Sequence, residues 1–161
     1  MSYMIKHPIN ATPFRMAVAY NSTDITITAG LPKNTTLSLN TLVQSSGMGL
    51  TLATNQITLV AGKTYLIYYK VGITNGTENR GAEVYIQKNG VTVSNQPNVP
   101  AITTSSTIAN SAWMTPNNVS MAVVTASSGD YISFLHTRSV GASYPDTVTS
   151  VANKAFILEL A

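Results

Sequence analysis

The chain contains no cysteine, which excludes a disulfide framework, a thiolate nucleophile and a cysteine-ligated zinc site. Charge is almost as scarce. Only 9% of the 161 residues are charged, against about 25% in an ordinary globular protein. The net charge of +3 comes from scattered groups that form no basic stripe, so neither nucleic acid nor a membrane surface is an expected partner. No run of about 20 apolar residues is present, so no hydrophobic membrane-spanning helix is expected.

Clustered titratable groups are missing as well. The acids Asp24, Glu78, Glu83, Asp130, Asp146 and Glu159 are not spaced like a catalytic carboxylate pair. His7 and His136 are the only histidines, and neither stands in a metal-ligand pattern. Gly47-Met48-Gly49 lacks the helix and lysine that follow in a phosphate loop. Two oxygen-rich groups, Asn75 with Glu78 and Asn79, and Ser143 with Asp146, supply one carboxylate each. That is thin for calcium, and solvated turns explain both. A hydrolase using His136 with a distant serine and aspartate is the enzymatic alternative, because triad members need not be neighbours in sequence. No Gly-x-Ser-x-Gly elbow accompanies it. The expectation is a protein that is not an enzyme and has no cofactor and no metal.

What the chain does have is β pattern. It is 44% hydrophobic, and Ser, Thr and Asn fill the alternate positions of its apolar runs. Gln56–Val60 alternates, turns at Ala61-Gly62-Lys63, and leads into Thr64–Val71 with Tyr65, Ile67, Tyr69 and Val71 on one face. Val84–Gln87 alternates again and meets Asn89-Gly90. Both residues accept the positive φ of a type I′ turn, so Glu83–Lys88 is expected to fold back on Val91–Val93. Before this block, Phe14–Tyr20 sets Phe14, Met16, Val18 and Tyr20 on one side. Strands follow at Asp24–Thr28, Thr35–Val43 and Met48–Thr54. After it, Val119–Ala126 and Asp130–Thr137 pair around Ser127-Ser128-Gly129, with Ile132 and Phe134 on one face. Lys154–Leu160 closes the chain with Phe156, Leu158 and Leu160 expected inward. Nothing has helical period. Short strands at such spacing predict an all-β sandwich or barrel of about ten strands.

Met1–Pro13 reads as an extended arm, with 14–161 as a single domain. Its apolar residues Met4, Ile5 and Ile9, with Phe14, are the expected contacts to a partner or neighbouring subunit. Lys6 and His7 stand where an apolar signal core would lie, so assembly inside a cell and release in a particle is expected. Two long polar segments, Ser94–Asn118 and Ser139–Val151, are candidate contact loops, the first hiding a short strand around Thr103–Ile108. Trp113 and Tyr144 are their contact candidates, with Tyr68 a further stacking residue.

From Gln56 onward the order of signals resembles the jelly roll of the tumour-necrosis-factor and complement-type globular-head superfamily. The residues that carry it are Ile57-Thr58-Leu59 with Gly62-Lys63-Thr64-Tyr65-Leu66, Val84–Lys88 before Asn89-Gly90, Ser128-Gly129-Asp130-Tyr131-Ile132, and Ala155-Phe156-Ile157-Leu158-Glu159-Leu160. The resemblance implies a two-sheet jelly roll that packs as a homotrimer. Among similar domains in bacteria and their viruses, the one expected is a bacteriophage capsid decoration or cement protein, bound to the major capsid protein. It would lie on the outer capsid surface of the virion after assembly in the host cytoplasm. The alternatives are the head of a phage fibre that binds a host surface glycan, and a spore-surface jelly-roll domain.

Overall fold

The computed structural model describes residues 15–27, 34–71, 73–75, 80–93, 106–108, 118–138, 146–148 and 153–160. Among them are fifteen strands: β1 (Arg15–Tyr20), β2 (Ile25–Ile27), β3 (Asn34–Thr36), β4 (Thr41–Gln44), β5 (Thr51–Ala53), β6 (Gln56–Thr58), β7 (Thr64–Val71), β8 (Ile73–Asn75), β9 (Arg80–Lys88), β10 (Val91–Thr92), β11 (Ser106–Ile108), β12 (Asn118–Thr125), β13 (Tyr131–Arg138), β14 (Asp146–Val148) and β15 (Lys154–Glu159).

A five-stranded front sheet runs β12-β7-β15-β1-β4, and a seven-stranded back sheet runs β10-β9-β13-β6-β5, with β11 on β9 and β3 on β13. A third, small sheet runs β2-β14-β8. Every pairing is antiparallel. The result is the expected all-β two-sheet jelly-roll sandwich. The strand total exceeds ten because one run is subdivided and short strands such as β8 and β14 are added. Thr35–Val43, expected as one strand, is two: β3 joins the back sheet and β4 the front. Between them Leu37 and Leu39 enter the core, and Leu37 N–H bonds the Phe134 carbonyl while Asn40 N–H bonds that of Tyr20. The chain therefore crosses between layers without leaving its backbone groups unpaired. The hidden strand of the first long loop is β11, and the second loop carries β14, which was not expected.

The core lies between the layers. Tyr65, Ile67, Tyr69 and Val71 of β7 face in as expected, opposite Val84 and Ile86 of β9 and Ile132 and Phe134 of β13. The Tyr69 and Phe134 rings stack at 4.1 Å, tying sheet to sheet. In β1, Met16, Val18 and Tyr20 share one side as expected; that side faces outward, and the core takes Ala17 and Ala19. The expectation for β15 is reversed: the core takes Ala155 and Ile157, while Phe156 and Leu158 point outward and Leu160 is 52% exposed. The reason is volume. Tyr65, Tyr69 and Phe134 already fill much of the space between the layers, and a close-packed interior takes three alanines and one isoleucine from β1 and β15 rather than their bulkier phase.

Turn chemistry fixes the register. Asn89 and Gly90 take φ of 52° and 78°, the expected type I′ turn. Thr54 and Asn55 form a second turn of this kind between β5 and β6, with φ of 49° and 64°. No sequence signal as strong as Asn-Gly announces that one.

Candidate functional site

An antiparallel sheet usually buries one face and wets the other, so its strands alternate apolar and polar. The front sheet does not. In register, Val43, Val18, Phe156, Tyr68 and Met121 form one row across all its strands. Met16, Leu158, Leu66 and Val123 form the next. Beyond the first row lie Thr41, Tyr20, Lys154, Lys70 and Val119. All of these side chains point away from the core, and most are half-buried by one another. Val43 is 59% exposed and Met16 37%. At the centre the Tyr68 and Phe156 rings meet with centroids 5.9 Å apart at 54°, within the tilted geometry that aromatic pairs favour. Contiguous exposed apolar surface of this kind marks an interaction site.

Charge is kept to the rim and to the basic row. Glu159 accepts Lys63 Nζ at 3.0 Å and lies 3.6 Å from Arg15. On the back sheet, Asp130 locks two turns together. Its carboxylate takes Lys88 Nζ at 2.6 Å, Asn89 Nδ2 at 2.7 Å and Ser127 N–H at 2.7 Å. Lys88, then the Ser127 amide and Asn89, hold its pKa down to about 2. Asn89 in turn accepts Tyr131 N–H at 3.0 Å.

The polar groups of the core are structural in geometry. Tyr69 donates to Asn153 Oδ1 at 2.5 Å, and burial pushes its phenol well above the ordinary range. His136 is fully buried and faces inward from β13, so a substrate outside the sandwich does not reach it. Asn75 and Asp146, members of the two oxygen-rich groups, are backbone partners in the small sheet. No group of three or more metal-ligating side chains occurs among the described residues.

Met4, Ile5, Ile9, Phe14, Trp113 and Tyr144, the contact residues expected from sequence, lie outside the described residues. Tyr68 is not part of a loop but the middle of the front face. That face was missed as a site. Its signal was present: RMAVAY, TYLIYYKV and KAFILE are apolar in both phases of the strand period, the mark of a strand covered on both sides.

No protein-family model and no curated protein sequence matches the chain. Solved structures do. A crystal structure of murine APRIL at pH 8.0 is similar with a TM-score of 0.57 and 12% identity, covering 91% of this chain and 99% of that one. The structure of Eiger TNF from S. frugiperda is similar with a TM-score of 0.54 and 13% identity, covering 92% and 94%. A tumour-necrosis-factor-like jelly roll thus spans almost the whole chain, and at this identity it is the fold that the likeness shows.

Proposed function

We propose that this is a non-catalytic structural protein that works as a homotrimer closed through the outer face of its front sheet. The observation that carries the reading is the pair of apolar rows centred on Tyr68 and Phe156. A large apolar side chain contributes about 1.5–3 kcal/mol when taken fully out of water. With half of each already shielded, the remainder still favours association. A closed three-fold ring covers such a face without leaving it open to further growth. The likeness to tumour-necrosis-factor-type domains supports the same arrangement.

The assembly in which the trimer acts is, in this reading, a bacteriophage capsid. The chain decorates and cements the outer surface, with Met1–Pro13 as the arm that holds the major capsid protein. The support is compositional: few charges, a hydroxyl- and amide-rich surface, and no cysteine. Sedimentation velocity followed by co-sedimentation with undecorated capsids tests it. A trimer that saturates capsids at a fixed copy number is expected. A trimer that ignores capsids but binds host cells would replace the cement role with that of a receptor-binding head.

A further inference from the structure

The front face is apolar in its first two rows and basic in the middle of the next, where Lys154 of β15 and Lys70 of β7 are direct register partners. Tyr20 and Val119 flank them in that row, and both lysines are half-buried. Like charges opposed across an antiparallel pair are destabilising. The other described cationic side chains are matched: Arg15 and Lys63 share Glu159, and Lys88 holds Asp130. No carboxylate pairs with Lys70 or Lys154 among the described residues.

Resting on the trimeric reading above, we infer that the Lys70–Lys154 pairs of the assembled copies form a site for a multivalent oxyanion such as phosphate or sulfate. In a trimer that buries this face about a common axis, each cross-strand row becomes one tier of the interface. The basic row supplies two ammonium groups per copy, hence six in the tier. Burial lowers the effective dielectric around them and strengthens their repulsion. An anion with at least two charges and several acceptor oxygens relieves part of it, and accepts from several of the N–H donors that the ammonium groups present. A halide brings one charge on one acceptor atom. β7 and β15 are adjacent, with β15 at the centre of the sheet, so the pair sits on the part of the face that a symmetric assembly covers first.

The test is sedimentation velocity and thermal melting of the full chain in sodium chloride and in sodium phosphate at matched ionic strength. The expected result is a trimer in both salts, with a saturable phosphate-dependent rise in Tm of about 1–2 °C at tenfold excess over the half-saturating concentration, one site being shared by three chains. The Lys70→Gln, Lys154→Gln double variant should remain trimeric, melt above the native chain in chloride, and lose the saturable response. It should keep only the gradual rise that excluded salts give to any folded protein. A native trimer melting alike in both salts overturns the inference, as does a saturable response that survives in the double variant. A variant that falls apart overturns it too, because the lysines would then hold the copies together without the anion. A monomeric native chain would fail differently: it removes the trimeric reading, and this site with it.

Discussion

The two sheets bury similar inner faces but present opposite outer ones. The back sheet shows Thr51, Thr58, Gln87 and Thr36 to solvent, with Tyr131, Tyr85 and Leu135 interspersed. The front sheet shows rows of Val, Phe, Tyr, Leu and Met broken only by threonines and two lysines. Folding alone explains the inner faces, since both supply the core. It does not explain an apolar outer face on one sheet and not the other. On the trimeric reading proposed above, the asymmetry gives the front to contact and the back to water.

The sharpest way to break that assignment is to put a charge on each outer face. Tyr68→Asp, at the centre of the front, should weaken self-association by about 30-fold or more, as the loss of a central aromatic anchor does. Thr58→Asp, on the exposed back, should leave association unchanged and stability within about 0.5 kcal/mol. Sedimentation velocity at several concentrations reads both, and equal effects from the two would erase the distinction between faces.

A smaller effect tests the back sheet's own device, its pinned hairpin. Gly90 holds φ at +78°, and a Cβ there would meet only Tyr131 Oη at 3.9 Å, an ordinary contact. Gly90→Ala should therefore show the backbone cost alone, about 1–2 kcal/mol in urea unfolding, with the oligomeric state untouched. Loss of the trimer in this variant would mean that the back sheet also bears on assembly.

The smallest effect is confined to acid. Asp130 titrates at about 2 in the folded chain, below the value of about 3.9 for a free aspartate. A depressed carboxylate contributes stability that is fully present above its unfolded pKa and is lost as pH falls through the folded one. The stability difference between the native chain and Asp130→Asn should hold steady above pH of about 5 and shrink toward pH 2. A difference that does not change with pH would show that the Lys88 and Ser127 contacts act without the charge.

The sequence made much of the sandwich legible, and its limits are instructive. Asn89-Gly90 named its own turn because few residue pairs tolerate two positive φ values. β13 showed its core face because Ser133 marks the other phase, and β7, though largely apolar in both phases, has Thr64 and Lys70 at the two ends of its outer one. β15 was assigned the wrong way round, and β1 was left without a named inner side, because both phases of each are apolar. Period then gives the alternation but not which side is the core, and choosing the bulkier phase as inward put Phe156 and Leu158 where only Ala155 and Ile157 fit. The same ambiguity hid the site. A face read as core is not looked at as surface. β14 escaped because three residues, Asp146, Thr147 and Val148, carry too short a pattern to stand out from a polar loop.

β15 lies between β7 and β1, in the middle of the front sheet. The first described strand therefore has no partner on that side until residues 154–159 have emerged from the ribosome. The sheet cannot be completed before those residues are made. Joining β1 to β7 through β15 is a long-range closure of the kind that makes folding slow and exposed intermediates prone to aggregate. Removing residues 154–159 would take out a central plank rather than an edge, and leave β1 and β4 detached from the rest of their layer.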